Sequence, residues 1–439
     1  MNRPFKHICP LQIALFGGVV AAGTTLTLLS PGFSSSGRAA LQDNPSAVVD
    51  EAWQIINRDY VDTQFNRINW LNVRQTLLSK NYTSREQAYK AIKDALKLLD
   101  DPYTRFMDAE QYQELTTQTS GELSGIGVRL EVNPQTKKLT VIEAIANSPA
   151  LKSGVKPGDQ ILAIDGKSTV NMNIESASAL IRGQSGTPIT LQINRKDQGR
   201  FGLRLVRAQI ELPTVRYSLR QEGKNRIGYL RLNEFNAHAP SQMRQAIQSL
   251  KSQQVDAFVL DLRGNPGGLL QSSVDIARMW LDTGAIVRTV DRKKTSIEAA
   301  ANGTALTQLP LEVLVDKNSA SASEILAGAL QDNRRATVVG NATFGKALVQ
   351  SVQSLSDGSG LAVTVAHYYT PSGTDISHKG ISPDIPVKLT AQQRQVLIAN
   401  PDLLGTQADP QYVKAVSDLK MTALAQPQNT KRAATPVLP

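Results

Sequence analysis

Residues 226–386 alternate between strand-like and helix-like segments, and this alternation constrains the fold more than any other feature of the chain. The run "DAFVLDL" (Asp256–Leu262) is almost unbroken in its apolar character, which is typical of a strand buried on both faces of a sheet. The helix-like "PSQMRQAIQSL" precedes it, and the strand-like "LEVLVD" and "ATVVG" follow it. Strands that alternate with helices predict an α/β domain, which we place at residues 209–400.

The rest of the chain predicts further domains, because 439 residues exceed the usual size of one. Residues 41–117 repeat apolar residues at helical spacing, as in Val48, Ala52 and Ile56, and predict a helical N-terminal domain. Thr83 and Glu86 fit a capping box there. Nothing in this segment demands chemistry. Residues 401–439 are rich in Gln, Pro and Ala and predict a C-terminal segment with a flexible end.

The first forty residues have the order of a secretory signal. Basic residues precede an apolar run of about nineteen residues, and small residues follow it up to Ala40. A run of this length would also span a bilayer as an uncleaved anchor. Both alternatives predict an exported protein. The single cysteine, Cys9, lies inside this leader, so the exported part has no disulfide, thiolate metal site or cysteine nucleophile.

The net charge of +10 is scattered in short pairs such as Lys137-Lys138. No long basic run with interleaved aromatic residues occurs, and the sequence therefore does not indicate nucleic-acid binding.

Residues 118–208 have a different texture, in which glycine and proline punctuate short alternating strands. The stretch "NSPALKSGVKPGDQILAIDG" (Asn147–Gly166) and the earlier "SGIGVRLEV" resemble a PDZ module. Such modules add a peptide's C-terminus as a strand and hold its carboxylate on backbone N–H groups of a glycine-rich loop. The resemblance implies that Gly125, Ile126 and Gly127 bind the substrate tail.

The stretch "NSASASEILAGAL" (Asn318–Leu330) places three serines at alternate positions before a helix-like run. Ser321 and Glu324 fit a capping box. A helix start also offers free N–H groups that stabilise an oxyanion, so a serine there can equally be a nucleophile. The residues alone leave both interpretations open.

A nucleophilic serine needs a base. Three histidines follow the leader (His238, His367 and His378), but no G-x-S-x-G elbow occurs. S-x-x-K spacing occurs at Ser153-Lys156 and Ser417-Lys420, in polar surroundings that do not favour a neutral lysine. Lys346, in "TFGKALVQ", has apolar neighbours that favour one. Spacing cannot place it against a serine.

Four motifs occur in one order behind the PDZ-like segment: "LRGNPGGLL", "NSASASEILAGALQDN", "TFGKALVQ" and "YYTPSG" with "KGISPDI". Over residues 46–390 the chain resembles the C-terminal processing peptidases, or tail-specific proteases. The resemblance implies an α+β multidomain chain with a helical N-terminal domain, a PDZ-like β-rich domain and an α/β protease core with a mixed sheet.

The resemblance also implies roles in a Ser-Lys dyad. Ser321 is the nucleophile, Lys346 the general base, and Gln350 orients the lysine. The backbone N–H groups of Ala322 and Gly267 form the oxyanion hole, and Arg182 couples peptide binding to activity. Ser319 and Ser323 are structural. Ala347 departs from the family pattern, in which glycine commonly follows the lysine.

The resemblance implies no metal or cofactor, and protein substrates with free C-terminal tails. "SDGSGLAVTVAHYYTPSGTDI" resembles the photosynthetic branch, which trims the photosystem II reaction-centre core subunit precursor. The alternatives are a general periplasmic tail-specific protease, a catalytically inactive PDZ adaptor and a histidine-based hydrolase. We expect a location in the periplasm or thylakoid lumen, with membrane contact through the leader or a membrane-bound substrate. The sequence does not indicate an oligomeric state.

Overall fold

The structure, a computed structural model, describes residues 44–133, 136–422 and 424. The predicted leader with Cys9 and the predicted flexible end of the chain lie outside these residues. Within the described ranges, no helix is both long and apolar enough to cross a membrane.

The described residues form eleven α-helices and nineteen strands. The first segment contains α1 (Pro45–Asp59), α2 (Trp70–Leu78), α3 (Arg85–Lys97), β1 (Arg105–Met107) and α4 (Ala109–Ser120). The second contains β2 (Glu122–Gly125), β3 (Val128–Val132), β4 (Leu139–Ala144), α5 (Pro149–Lys152), β5 (Gln160–Ile164), β6 (Lys167–Ser168), α6 (Ile174–Ile181), β7 (Pro188–Arg195), β8 (Gly199–Val206) and β9 (Ala208–Glu211). The third contains β10 (Val215–Glu222), β11 (Asn225–Leu232), α7 (Ala239–Ser252), β12 (Ala257–Asp261), α8 (Leu270–Arg278), β13 (Ala285–Asp291), β14 (Ser296–Ala300), β15 (Leu311–Val315), α9 (Ala322–Asp332), β16 (Thr337–Gly340), β17 (Leu348–Ser354), β18 (Gly360–Tyr369), β19 (Ile385–Pro386), α10 (Ala391–Ala399) and α11 (Pro410–Thr422).

The chain divides into two compact units, residues 115–214 and the remainder. In unit 115–214 the strands form a sheet in the order β3-β4-β5-β7-β8, with β6 on β5 and a separate β2–β9 pair. Apolar residues at alternate strand positions, such as Leu139 with Val141 and Ile189 with Leu191, fill its core with Ala177 of α6. This unit is the β-rich domain that the sequence predicts.

A six-stranded sheet in the order β10-β11-β12-β15-β16-β19 forms the centre of the other unit. Strands β10 and β11 are antiparallel, and the pairs from β11 to β19 are parallel, so the sheet is mixed and the prediction of an α/β core is confirmed. Every residue of β12 is buried. Phe258 and Leu260 belong to one core, and Ala257 and Val259 to another on the opposite face, as expected for a strand covered on both sides.

Helix α11 covers the second face, where its Tyr412, Ala415 and Val416 meet the alternate residues of the parallel strands. A buried ion-pair cluster fastens this end of the chain, since Arg263 Nη2 lies 2.6 Å from both Asp261 Oδ2 and Asp409 Oδ2. The compact core therefore continues beyond residue 400, where the sequence placed its end. A helix that packs on one side carries polar residues on its other side. The composition of such a segment is therefore mixed and does not reveal that one face belongs to a core.

The N-terminal helices share a core with the protease segment, and they belong to the same compact unit up to residue 114. Buried residues of α1 and α3 pack against Leu361 and Val363 of β18. Strand β18 belongs to a five-stranded sheet with β1, β13, β14 and β17. The predicted capping box at Thr83 is wrong by one residue, because the Ser84 side chain accepts the bond from the Gln87 N–H at the start of α3.

Candidate active site

The three alternating serines follow β15 and are fully buried, but they differ in hydrogen bonding. Ser319 Oγ donates to the Leu262 carbonyl at 2.9 Å, and Ser323 Oγ donates to the Asn265 carbonyl at 2.8 Å. Ser321 Oγ has no hydrogen-bond partner among the residues that the structure describes. A buried hydroxyl without a partner costs stability, and such groups call for an explanation such as a catalytic role.

The backbone of Ser321 explains why its hydroxyl stays unpaired. Its φ of 55° and ψ of −114° are strained for a residue with a Cβ. The Glu324 N–H donates to the carbonyl of Ser321 at 2.8 Å, and the Ser321 N–H donates to Glu324 Oε2 at 2.8 Å. The glutamate thus caps the helix, and the serine hydroxyl remains available.

The Glu324 carboxylate joins the serine segment to the Lys346 segment. Its Oε2 accepts bonds from the Ser321 N–H and, at 3.0 Å, from the Lys346 N–H. Its Oε1 accepts from the Gly345 N–H at 2.7 Å and from Thr343 Oγ1 at 2.5 Å. Burial raises the pKa of Glu324, and these donors act in the opposite direction. The arrangement fixes both segments at once.

Tyr368, which is buried on β18, makes a second connection. Its hydroxyl donates towards the carbonyl of Lys346 and lies 3.2 Å from the carbonyl oxygen of Ser321. The structure therefore brings Ser321 and Lys346 together, although the serine hydroxyl and the lysine amine are not hydrogen-bonded to each other here.

Lys346 is 2% exposed. Burial, followed by the positive charge of Arg105, lowers the pKa of Lys346 to about 7. The carboxylates of Asp101 and Glu324 act in the opposite direction. The amine lies 4.7 Å from the centroid of the Tyr103 ring. A lysine base must be unprotonated, and a pKa lowered in this direction favours that form near neutral pH.

The sequence analysis found nothing in the N-terminal segment that demands chemistry. In the structure, the Tyr103 ring of this segment lies beside the candidate base, and the charges of Asp101 and Arg105 act on its pKa. These residues lie in a short loop and in β1, and their composition does not set them apart from the helical segment around them. The cluster of charges in "DDPYTRF" beside an otherwise helical pattern was the available signal.

Gln350 lies on β17, and its side chain is fully buried. Its Nε2 donates to Thr364 Oγ1 at 3.3 Å, and Thr364 Oγ1 donates to Asp101 Oδ2 at 2.7 Å. Its Oε1 has no partner within the described part of the chain. Gln350 is thus connected to Asp101 through Thr364, and its Oε1 can still accept a hydrogen bond.

The two candidate oxyanion donors differ in the structure. Ala322 is the first residue of α9, where an N–H has no intrahelical acceptor. A Cβ on Gly267 would lie 2.9 Å from Ser321 Cβ, so this position is next to the serine and requires glycine. The Gly267 N–H, however, donates to Asn265 Oδ1 at 2.9 Å. It would have to share or release that bond to stabilise an oxyanion.

Ala347, where the family commonly has glycine, is buried, and its φ is not positive. The departure from the family pattern therefore introduces no backbone strain at this residue.

The alternative bases fit the geometry less well. His367 is exposed and precedes Tyr368 on β18, so the two side chains point to opposite faces. His378 is exposed as well, and His238 lies at the start of α7. Of the S-x-x-K lysines, Lys156 is exposed and Lys420 Nζ lies 3.8 Å from Glu222 Oε2. Lys156 and the 40% exposed side chain of Lys420 are therefore both hydrated, unlike Lys346.

The predicted peptide-binding loop lies in unit 115–214. Ser124 Oγ donates to the Gly183 carbonyl at 2.5 Å, and an ideal Cβ on Gly125 would lie 4.0 Å from Arg182 Cα. The carbonyl of Ile126 accepts the Ala150 N–H at 2.9 Å. The loop therefore sits at the end of α6, beside Arg182.

Strand β3 continues from this loop and is the terminal strand of its sheet. An extended peptide could pair with such an edge. Among the described residues, no group of three or more His, Cys, Asp or Glu side chains is arranged to hold a metal ion.

Comparisons with known proteins agree with this fold. The peptidase family S41 profile matches residues 226–387, and the PDZ domain profile matches residues 114–194. A carboxyl-terminal-processing protease of Picosynechococcus sp. is 45% identical, covering 83% of this chain and 87% of the relative. One of Synechocystis sp. is 42% identical, covering 92% and 90%.

Among solved structures, a photosystem II D1 C-terminal processing protease is 34% identical with a TM-score of 0.53, covering 84% of this chain and 99% of that chain. These similarities define a serine-type peptidase with a PDZ domain. The chain belongs to peptidase family S41, as a C-terminal processing protease.

Proposed function

We propose that Ser321 and Lys346 form the catalytic dyad of this protease. The observation that carries the proposal is a contrast within one segment. The hydroxyls of Ser319 and Ser323 donate hydrogen bonds to backbone carbonyls, whereas the Ser321 hydroxyl has no partner among the described residues. The neutral Lys346 amine takes the proton of Ser321 Oγ as the oxygen bonds to the scissile carbonyl carbon. The protonated lysine then gives this proton to the leaving amine, and water hydrolyses the ester.

The reaction requires the serine hydroxyl and the lysine amine to meet. Catalytic hydrogen bonds are often long without substrate and tighten in the complex. We assign the oxyanion to the Ala322 N–H and to the Gly267 backbone, whose N–H would exchange its bond to Asn265 for one to the substrate. Gln350 would orient Lys346 through its unpaired Oε1.

We infer that the substrates are proteins whose free C-terminal tails bind the loop Ser124–Gly127. The edge position of β3 and the glycine backbone of the loop support this mode. Arg182, next to Gly125, would sense the bound carboxylate and transmit occupancy to the core. The D1 processing protease among the similar structures favours the photosystem II core subunit precursor as substrate, and hence the thylakoid lumen as location.

The experiment that tests the dyad compares the purified protein with Ser321→Ala and Lys346→Ala, and uses Ser319→Ala and Ser323→Ala as matched controls. Each is incubated with a substrate that ends in an apolar tail, and products are read by mass spectrometry. We expect cleavage by the wild type and the two controls alone. Turnover that survives in Ser321→Ala would refute the dyad.

Activity should also rise with pH. Lys346 must be unprotonated to act, so kcat/KM should increase about tenfold per pH unit below a midpoint near pH 7 and level off above it. A profile that is flat between pH 5 and pH 9 would argue against a lysine base.

Two further arms separate the alternatives. Amidation of the tail should weaken cleavage if the free carboxylate is read, whereas a general tail-specific protease would cleave unrelated tails as well as the photosystem II precursor. An inactive adaptor would bind the tail and cleave nothing. A histidine-based hydrolase would lose turnover in His238→Gln or His367→Gln, in which the lysine mechanism predicts retained turnover.

A further inference from the structure

The loop and strand at residues 101–107 form one wall around the Lys346 amine. The Tyr103 ring presents its face to the amine, with the Nζ atom 4.7 Å from the ring centroid. Arg105, two residues further along this wall, adds a positive charge that disfavours the protonated amine, and its Nε is buried without a hydrogen-bond partner in the described part of the structure. Two positive charges in one buried region repel each other, which disfavours the protonated form of the lysine.

Hydrogen bonds hold this wall in position. Asp101 Oδ1 accepts the Tyr103 N–H at 2.9 Å, and Asp101 Oδ2 accepts Thr104 Oγ1 at 2.7 Å. Strand β1 pairs with β18, with Arg105 opposite Ala362. Strand β18 also carries Tyr368, which fixes the backbone of Lys346. The ring, the guanidinium and the amine therefore have defined relative positions.

The groups that face the amine act in opposite directions. The Tyr103 face attracts an ammonium through its quadrupole and favours the protonated lysine. The carboxylates of Asp101 and of Glu324, on α9, also favour it. Burial and the Arg105 charge favour the neutral amine. Both carboxylates also accept hydrogen bonds from other donors, Asp101 from Thr104 and Glu324 from Thr343. The contributions of Tyr103 and Arg105 can each be removed by a single substitution.

We propose that Tyr103 and Arg105, which lie on one wall of the Lys346 site, are positioning residues for the reaction: the Tyr103 ring holds the amine in place, and the Arg105 guanidinium, fixed on β1 by the pairing with β18, disfavours a second positive charge there. This proposal rests on the Ser321–Lys346 dyad proposed above. It assigns a role in catalysis to the N-terminal segment, outside the residues 226–387 that match the peptidase profile.

The test uses opposite shifts of one pH profile. Tyr103→Leu removes the ring face, so the alkaline rise of activity should move to lower pH by about half a unit to one unit, with a several-fold lower plateau. Tyr103→Phe keeps the ring and should resemble the wild type. Arg105→Gln removes the positive charge and should move the rise to higher pH by a similar amount. Arg105→Lys keeps the charge and should move it little.

Two readouts are recorded for each variant: kcat/KM for a tailed peptide, and the rate of acylation by a fluorophosphonate, which needs no tail. Opposite shifts in both readouts, with Phe and Lys rescuing, support the proposal. Unchanged midpoints in Tyr103→Leu and Arg105→Gln, or shifts of both in one direction, overturn it.

Circular dichroism and thermal melts identify a variant that loses activity by unfolding. In that case the pH profiles of Tyr103→Phe and Arg105→Lys decide the test. Retained turnover in Lys346→Ala would be the separate failure of the dyad itself.

Discussion

Arg263 and Lys346 are both buried cations in the same compact unit, at 5% and 2% exposure, yet their surroundings move their pKa values in opposite directions. Burial alone would lower the pKa of Arg263, but the charges and hydrogen bonds of Asp261 and Asp409 outweigh it and raise the pKa. For Lys346, burial and Arg105 prevail and lower the pKa to about 7.

The difference lies in how the neighbouring carboxylates are used. Asp261 and Asp409 point oxygens at the Arg263 guanidinium at 2.6 Å. Glu324 instead binds backbone N–H groups, among them those of Ser321 and Lys346. Similar burial therefore accompanies a structural ion pair at Arg263 and a candidate base at Lys346, because the neighbouring carboxylates outweigh desolvation at Arg263 but not at Lys346.

Lys346→Met gives the largest expected effect. Methionine keeps an apolar stem but removes the amine, so kcat should fall on the order of 10⁴-fold or more. The exposed Lys293 provides a matched control, and Lys293→Met should retain activity. The measurement is peptide cleavage. Substantial residual turnover in Lys346→Met would mean that Lys346, like Arg263, has a structural role and is not the base.

The same variant should gain stability in a pH-dependent way. The folded-state pKa of Lys346 is depressed, so its burial costs most below about pH 7 and the cost disappears as pH approaches the unfolded value near 10.4. Lys346→Met should therefore be more stable than the wild type by a few kcal/mol at pH 6 and by less at pH 9. Urea unfolding at the two pH values measures this difference.

Arg263→Met should have the opposite effect on stability. It leaves the buried Asp409 without its cation and Asp261 with Arg231 alone, 3.2 Å away, which should lower the free energy of unfolding by about 3–5 kcal/mol. Arg278 forms an ion pair at the surface with Asp275, and Arg278→Met should cost about 0–1 kcal/mol. Urea titration of both variants tests the contrast, and equal losses would contradict it.

Glu324→Gln tests whether the Glu324 carboxylate fastens the Ser321 and Lys346 segments. The amide would turn donor hydrogens towards N–H groups that now donate to the carboxylate, so the Ser321 and Lys346 segments should separate. We expect kcat to fall about 10–100-fold, since hydrogen bonds to a charged group contribute about 1.5–3 kcal/mol. Steady-state kinetics against the exposed-site control Glu298→Gln measures it, and an unchanged kcat would contradict the fastening role.

Gly127→Ala leaves both cations untouched and should have the smallest effect. A Cβ at this φ of 77° would lie 2.3 Å from Ser148 Cβ, so the loop must distort. KM for a tailed substrate should rise about tenfold, equivalent to 1.4 kcal/mol of binding, with kcat little changed. Gly166 has the same φ with open space around it, and Gly166→Ala should leave KM unchanged. Equal KM values in the two variants would remove the loop from tail binding.

The α/β core, the β-rich domain and the family could all be predicted from the amino-acid sequence, because they depend on local periodicity and on motifs in a fixed order. The unbroken apolar run of β12 predicted a strand covered on both faces. The alternating serines and "TFGKALVQ" marked the two segments of the candidate site.

The resemblance separated Ser321 from Ser319 and Ser323, but their physical difference is visible in the tertiary structure alone, because the hydrogen bonds of Ser319 and Ser323 go to Leu262 and Asn265, which are far away in the chain. The tertiary structure also brought Tyr103 and Arg105 to a lysine more than two hundred residues away in the chain. The apolar neighbours of Lys346 along the chain indicated desolvation, but a pKa also depends on charges that approach through space, and those charges come from residues far away in the chain.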